Sequence, residues 1–250
     1  MSLAIKVLTL FPAMVREVLE TSILGRAATC GLVEYTVVDI RDFTVDKHRT
    51  VDDTPYGGGA GMIMMAPPLV EALEDNRTHE SSPVLLTTPQ GERLDEKLVL
   101  TLLAESEITG EILLLCGHYK GIDERVRELV KPREISIGDY VLSGGELPAL
   151  VIVDALVRRI PGVLHDGDSA ASDSFTEERQ GGLDCPWYTK PPSYRGLTVP
   201  EILLSGHHRN IENWRQEQAA TRTRERRPDL TPEQTESRDE TYGTNPAADS

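Results

Sequence analysis

Short β-rich runs alternate with helical runs through the first 160 residues of this 250-residue chain. The predicted strands cover residues 3–11, 33–40, 84–88, 111–116 and 134–137. The predicted helices cover residues 12–31, 67–73, 94–103, 122–130 and 147–159. Strands that alternate with helices indicate βαβ units, so we expect an α/β fold with a mostly parallel sheet and helices on both faces.

The segment at residues 137–148 joins the last predicted strand to the following helix and contains Gly138, Gly144 and Gly145. Ligands of α/β sheets bind outside the carboxyl ends of the strands, and glycine lets a ligand approach the main chain. The segment has no Lys or Arg and lacks the glycine spacing of phosphate-binding loops. Two interpretations stay open here: a backbone-lined pocket for a ligand that is not strongly anionic, or a glycine-rich turn that only connects two elements.

Two further glycine-bearing segments end predicted strands, at residues 88–91 and 116–125. Since the carboxyl ends of parallel strands meet at one edge of a sheet, the three segments are expected to form one pocket, although every α/β fold has loops there. Residues 41–65 show no clear period and contain residues 55–62, Pro-Tyr-Gly-Gly-Gly-Ala-Gly-Met. We interpret this stretch as a clamp for a base or a nucleic-acid backbone, or as a mobile surface loop.

The formal net charge of −15 argues against nucleic-acid binding by the chain as a whole, but the charge is uneven. Residues 209–227 contain six Arg and three Glu, whereas residues 228–250 contain six acidic residues and one Arg. A basic helix of this kind is compatible with a local nucleic-acid surface or with a solvated helix face. Residues 165–182 are predicted to be a linker, and the acidic tail at residues 231–250 is predicted to be disordered.

The number of cysteines and the hydropathy of the sequence indicate the cellular compartment of the protein. Three cysteines lie far apart, at positions 30, 116 and 185, which argues against a disulfide framework and for a reducing, cytoplasmic environment. No apolar run approaches the ~20 residues of a membrane span, and we expect no signal peptide. The six histidines show no ligand spacing with Cys or carboxylates, so no structural metal site is predicted.

Twelve motifs occur in a fixed order: Leu8-Thr-Leu-Phe-Pro12, Arg41-Asp-Phe-Thr44, and residues 48–53, 55–62, 89–91, 121–125, 136–148, 160–163, 173–175, 183–186, 199–206 and 226–230. In these motifs the chain closely resembles the bacterial tRNA (guanine-N1)-methyltransferases of the SPOUT superfamily. The resemblance covers residues 1 to about 230 and leaves the acidic tail outside it.

The resemblance implies a function and an architecture. It implies methylation of guanine N1 at tRNA position 37, next to the anticodon, with S-adenosylmethionine as the methyl donor. It implies a deep trefoil knot, which no topology rule predicts, and a homodimer whose active site is shared between subunits. The implied domains are a knotted cofactor-binding domain at residues 1–164, an interdomain linker at 165–182 and a helical tRNA-binding domain at 183–230. Dependence on Mg²⁺ is also implied, although the sequence shows no protein ligand set for it.

Methyl transfer to guanine N1 requires two functional groups in the active site. N1 carries a proton at neutral pH, so a general base must remove it before the lone pair can attack a methyl group. Negative charge then develops on O6, where a cation or a hydrogen-bond donor is needed. The resemblance assigns the base to Asp173 and the cation to Arg158.

The resemblance also assigns two sets of binding residues. The implied tRNA-binding residues are Asp52, Tyr56, Gly57, Gly58 and Gly59. The implied cofactor-binding residues are Pro89, Gly117, Tyr119, Ile137, Gly138, Asp139, Tyr140, Val141, Leu142, Gly144, Gly145 and Pro148.

One position in this region departs from the resemblance. Family members commonly carry Glu where this chain has Lys120, which reverses a charge beside the implied cofactor pocket. The alternative that this substitution leaves open is a non-catalytic or retargeted tRNA-binding member of the same superfamily.

Overall fold

The computed structural model describes residues 2–164 and 172–231 and shows two units, Met1–His165 and Asp166–Ser250. The first part of the predicted linker, residues 165–171, lies outside the described residues. The predicted disordered tail lies outside them as well, apart from its first residue.

The first unit alternates strands and helices. Its elements are, in chain order, β1 (Leu3–Thr9), α1 (Pro12–Leu19), α2 (Ser22–Thr29), β2 (Val33–Asp39), β3 (Asp52–Asp53), β4 (Ile63–Met64), α3 (Ala66–Asn76), β5 (Val84–Arg93), α4 (Glu96–Thr109), β6 (Glu111–Cys116), α5 (Glu124–Val130), β7 (Arg133–Ser136) and α6 (Glu146–Val157). Five of the strands form one sheet in the order β2-β1-β6-β5-β7, and every neighbouring pair is parallel. The predicted parallel α/β sheet is therefore confirmed.

Two apolar cores cover the two faces of this sheet. On one face α1, α2, α4 and α6 pack over alternate strand residues such as Val7 and Leu114. On the other face α3 and α5 pack over the intervening residues, such as Leu8 and Leu115. Because β6 is buried on both faces, all six of its residues are buried, as expected of a central parallel strand.

The predicted single helix at residues 12–31 is wrong, because the structure has two helices there. Thr21 adopts an extended conformation (φ −107°, ψ 156°) between α1 and α2. Its hydroxyl donates to the carbonyl oxygens of Glu17 (3.0 Å) and Val18 (2.9 Å), which caps the end of α1. A Cβ at Gly25 would overlap the carbonyl group of Glu20, so the corner depends on a glycine at that position.

The predicted end of the third strand at residue 88 is also wrong. β5 continues to Arg93, and its register against β7 shifts between Thr87 and Glu92. Pro89, which cannot donate to a ladder, lies within this irregular part rather than in a turn after the strand. A Cβ at Gly91 would overlap the backbone of Glu134 and Ile135, so glycine allows the close contact between the two strands.

The segment at residues 41–65, which shows no period in the sequence, contains some regular structure. A 3₁₀ turn at Ile40–Phe43 overlaps its start, and β3 and β4 pair antiparallel with Asp52 opposite Met64. These two-residue strands are too short to leave a pattern.

The second unit is small and mainly helical. It contains the hairpin of β8 (Ser193–Tyr194) and β9 (Leu197–Thr198), then α7 (Glu201–Leu204), α8 (His208–Arg226) and a 3₁₀ turn at Pro228–Leu230. The Leu183 amide donates to Thr223 Oγ1 at 2.9 Å, which ties the start of the unit to α8. Among the helices of both described ranges, none has the length and apolar character needed to cross a membrane.

Candidate active site

A cavity of about 260 Å³ opens in the first unit beside the middle of β5 and the carboxyl ends of β6 and β7. Three segments line it: residues 86–90 of β5, residues 117–122 after β6 and residues 135–145 at the end of β7 and beyond. The prediction that the three glycine-bearing segments share one pocket is therefore confirmed. Such a cleft at the carboxyl edge of the strands is the usual ligand site of an α/β sheet.

Most of the cofactor-binding residues implied by the resemblance line this cavity. They are Pro89, Gly117, Tyr119, Ile137, Gly138, Tyr140, Val141, Leu142, Gly144, Gly145 and Pro148. Asp139 is not among the lining residues. The structure also brings in Thr87, Gln90, His118 and Ser136, which were not among the implied cofactor-binding residues. Gln90 and His118 lie in the glycine-bearing segments predicted to form the pocket, Ser136 begins the motif at residues 136–148, and Thr87 alone had no signal in the sequence.

Gly145 is the point where the segments approach each other most closely. Its amide donates to the Gly117 carbonyl oxygen at 2.7 Å. A Cβ at Gly145 would overlap Thr87 Oγ1 and stand 2.8 Å from the Gly117 nitrogen. The φ of Gly145 is −84°, a value that any residue adopts, so backbone strain does not explain the glycine. Glycine is required because a side chain at this position would overlap the neighbouring atoms. The pocket wall here is formed by all three segments in close contact.

A buried carboxylate holds the end of the pocket segment in place. Glu146, the first residue of α6, accepts a hydrogen bond from the Thr9 hydroxyl at 2.8 Å. Its other oxygen lies 3.9 Å from Nδ1 of His118 in the pocket wall. A negative charge is favourable at this place because it faces the positive end of the α6 dipole. The carboxylate therefore links β1, the pocket wall and α6.

Cys116 ends β6 directly beneath the pocket and is buried. Burial and, secondarily, the nearby charge of Glu146 raise the pKa of its thiol well above the usual range. A thiol held neutral is a poor nucleophile, so Cys116 serves packing.

The glycine-rich loop implied to bind tRNA borders the same pocket. The Lys120 amide donates to the Met62 carbonyl oxygen, and the Met64 amide donates to that of Gly121, both at 3.0 Å. Tyr56, which begins the loop, is fully exposed. Asp52 lies in β3, whose pairing with β4 closes the base of the loop.

The two implied catalytic residues lie in different units. Arg158 caps the carboxyl end of α6 in the first unit, where its amide donates to the Asp154 carbonyl oxygen at 3.1 Å. Asp173 lies in a turn of the second unit, and its carbonyl oxygen accepts from the Thr176 hydroxyl at 2.8 Å. Both residues are half-buried.

The second unit presents arginines and aromatic rings together. The Arg215 guanidinium lies 4.5 Å from the ring centre of the exposed Trp187. The Trp187 indole nitrogen donates to Asp184 at 2.6 Å, which fixes the ring. Trp214 is half-buried and lies beside Tyr188, with ring centres 6.4 Å apart.

No group of three or more His, Cys, Asp or Glu residues suited to a metal ion occurs within residues 2–164 and 172–231.

Comparison with known proteins places the chain in a family. Residues 3–233 match the family model described as tRNA (Guanine-1)-methyltransferase TrmD. Among curated relatives named tRNA (guanine-N(1)-)-methyltransferase, that of Anaeromyxobacter sp. strain K is 51% identical over 229 residues, which cover 91% of this chain and 90% of the relative. The relative from Gloeobacter violaceus is 47% identical over 228 residues, which cover 91% and 98%. With this extent of similarity, the chain belongs to the tRNA (guanine-N1)-methyltransferase family.

Proposed function

We propose that this protein transfers a methyl group from S-adenosylmethionine to guanine N1 at tRNA position 37, next to the anticodon. The observation that carries the proposal is the cavity beside the middle of β5 and the carboxyl ends of β6 and β7, whose walls include the main chain around Gly117, Gly138 and Gly145. Family membership supports the substrate, because the relatives' names specify tRNA and guanine N1.

The residues of the cavity fit the proposed cofactor. S-adenosylmethionine, when bound, supplies a methyl group activated on a sulfonium centre. Tyr119, Tyr140 and Leu142 offer apolar surface for its adenine ring, and the glycine main chain offers hydrogen-bonding groups without side chains in the way. The pocket requires glycine at position 145, because a side chain there would overlap the pocket walls.

The proton at guanine N1 is proposed to move to the Asp173 carboxylate. The Arg158 guanidinium is proposed to face O6 of the same base and to stabilise the negative charge that develops there. Arg158 follows directly from α6, which begins beside the pocket, so a rigid helix connects cofactor site and cation. Asp173, in the second unit, is proposed to act on the pocket of the other subunit of a homodimer.

The surface of the first unit supports the dimer. α1 and α6 pack against each other, and the two helices and the residue before α1 expose apolar side chains: Phe11, Met14, Val18, Leu147 and Val151. Adjacent exposed apolar residues of this kind mark an interaction surface. We propose that this surface, here called the α1–α6 surface, is covered by the second subunit.

The close chain crossings support the implied trefoil knot. Gly91 lies against the backbone of β7, and Gly145 lies against the main chain at Cys116 and Gly117. We propose that the segment after β7 threads through the loop between β5 and β6 at these crossings. A knotted cradle would hold the pocket segments together without a disulfide, consistent with three free cysteines.

The proposed tRNA surface includes Asp52, Tyr56 and Gly57–Gly59 beside the pocket, and the arginines of α8 in the second unit. Calorimetry with S-adenosylmethionine distinguishes the proposal from a non-catalytic tRNA-binding protein, the alternative that Lys120 raises. Heat of binding at micromolar to low-millimolar ligand supports the proposal, and no heat up to millimolar ligand supports the alternative.

A further inference from the structure

Lys120 occupies a defined place between the pocket and the glycine-rich loop. It lines the cavity, and its amide is held by the Met62 carbonyl oxygen at 3.0 Å. A Cβ placed on Gly61 would stand 3.6 Å from Cδ and 3.7 Å from Cγ of Lys120. A Cβ placed on Gly59 would stand 4.0 Å from its Nζ. The stem therefore runs along the loop, and the ammonium lies at the pocket mouth near Gly59.

Among the described residues, the ion pairs around the pocket mouth do not include the ammonium group of Lys120. Arg127, another cation that lines the pocket, is paired with Glu124 at 2.9 Å and with Glu134 at 3.1 Å. Within the described ranges, Lys120 forms no ion pair, and its nearest acidic neighbours in sequence, Asp123 and Glu124, are paired with Arg125 and Arg127. An exposed lysine with this freedom can bind an anionic group of a ligand.

The loop beside Lys120 is rich in glycine, so few side chains cover its main chain. Gly57, Gly58, Gly59 and Gly61 have φ values of +82°, +79°, +119° and +95°, which only glycine adopts readily. No atom lies within 4 Å of a Cβ built at Gly57 or Gly58, so the main chain there borders open space. The Gly58 amide donates to the Pro55 carbonyl oxygen at 3.2 Å, which folds the loop into a turn. Peptide N–H groups of such a turn next to a cation can form the kind of concavity that binds phosphate. Tyr56, fully exposed at the start of the loop, adds a surface on which a base can stack.

We propose that Lys120 and the main chain of residues 57–61 form a phosphate-binding site at the pocket mouth, which holds a backbone phosphate of the tRNA strand next to the target guanosine. This inference rests on the proposed function for the identity of the RNA. It makes Lys120 a positioning residue, since it holds the strand and not the reacting atoms.

Affinity for a tRNA transcript with guanosine at position 37, measured over a range of salt concentrations, tests the proposal. Lys120→Gln removes the charge while keeping a side chain of similar reach. We expect its tRNA dissociation constant to rise about three- to tenfold at low salt. We also expect the slope of log affinity against log salt to fall by about 0.7, the value for one phosphate contact on a single strand. Lys120→Arg should restore both quantities.

Two controls separate the loss of one phosphate contact from a general loss of positive charge and from damage to the cofactor pocket. Lys97→Gln removes an exposed lysine on α4 and should leave tRNA affinity unchanged. Calorimetry with S-adenosylmethionine on Lys120→Gln reports any change in the cofactor pocket, which Lys120 also lines, separately from the change in tRNA affinity. The proposal is overturned if Lys120→Gln binds tRNA with wild-type affinity and salt slope, if Lys97→Gln weakens binding equally, or if cofactor affinity is lost instead. Because binding needs no chemistry, these results stand even if no methyl transfer is found.

Discussion

The Thr9 hydroxyl donates a 2.8 Å hydrogen bond to the buried carboxylate of Glu146 and so joins the end of β1 to the first turn of α6. Thr9→Val leaves one oxygen of this carboxylate without its donor. A buried polar group that loses its partner costs about 1–3 kcal/mol, and we expect urea unfolding to show a loss of that size. The contact also orders the end of the pocket segment, so cofactor affinity should fall with it.

The partner substitution provides the control for this contact. Glu146→Gln keeps an acceptor for the Thr9 hydroxyl, so it should cost less stability than Thr9→Val. An equal loss in Glu146→Gln and Thr9→Val would contradict the importance of this hydrogen bond.

Gly145 should be intolerant of even a methyl group. In Gly145→Ala the added Cβ would overlap Thr87 Oγ1, so the three pocket segments must separate. We expect affinity for S-adenosylmethionine to fall about tenfold or more in calorimetry, since overpacking costs about 1–3 kcal/mol. Gly31→Ala is the control, because Gly31 has φ +70° and no atom within 4 Å of an added Cβ.

The Gly31→Ala control separates the effect of backbone strain from the effect of an overlap between atoms. Gly31→Ala should lower the free energy of unfolding by about 1 kcal/mol through its left-handed backbone and leave cofactor affinity unchanged. Equal cofactor affinity in Gly145→Ala and the wild type would show that the close approach at Gly145 is not needed for the cofactor site.

Asp173→Asn should slow methyl transfer while the cofactor still binds. Loss of a general base lowers the rate about 10²- to 10⁴-fold, and single-turnover transfer to tRNA measures it. Glu178→Gln, an exposed acid in the same segment, is the matched control and should react at the wild-type rate. A near-normal rate in Asp173→Asn would exclude this carboxylate as the base.

The α1–α6 surface should hold two subunits together. Val151→Asp places a charge on this surface, and we expect light scattering to show monomers. Leu129→Asp changes an exposed leucine on α5, at the other face of the sheet, and should leave the mass of the wild type unchanged. A wild type that is monomeric at micromolar concentration would contradict the shared active site.

The ionisation of Glu111 makes the free energy of unfolding depend on pH in the acidic range. Burial opposes its ionisation, but hydrogen bonds from Lys6, Ser82 and Thr78 outweigh it and lower the pKa from 4.5 to about 2. Because the folded-state pKa is depressed, the stabilisation is complete above pH 4.5 and is lost as pH falls towards 2. The difference corresponds to roughly 3 kcal/mol. Unfolding free energies between pH 5 and pH 2 should show this slope in the wild type and a shallower one in Glu111→Gln.

The sequence predicts the fold well where local pattern and tertiary environment agree. Residues 111–116 are apolar almost throughout, and the strand observed there has the predicted bounds because both of its faces are covered. The extension of β5 to Arg93 could not be predicted, since it depends on Gly91 lying against the backbone of β7. The break between α1 and α2 depends likewise on Gly25 fitting against the Glu20 carbonyl group.

The same limit applies to the candidate site. Glycines at strand ends were enough to predict a shared pocket. The contact between Thr9 and Glu146 joins residues 137 positions apart, and nothing in the motif of either residue identifies the other as its partner. The position of Lys120 along Gly61 depends in the same way on two loops that meet only in the fold.

Mass-spectrometric mapping of the methylated nucleotide tests the central claim most directly. A tRNA transcript with guanosine at position 37 is incubated with the full-length protein and S-adenosylmethionine carrying a deuterated methyl group, then digested and sequenced. We predict one labelled methyl group, on N1 of guanosine 37, and labelling slowed about 10²- to 10⁴-fold when Asp173→Asn replaces the wild type under the same conditions. Absence of label, or label on a different nucleotide or atom, would contradict the account.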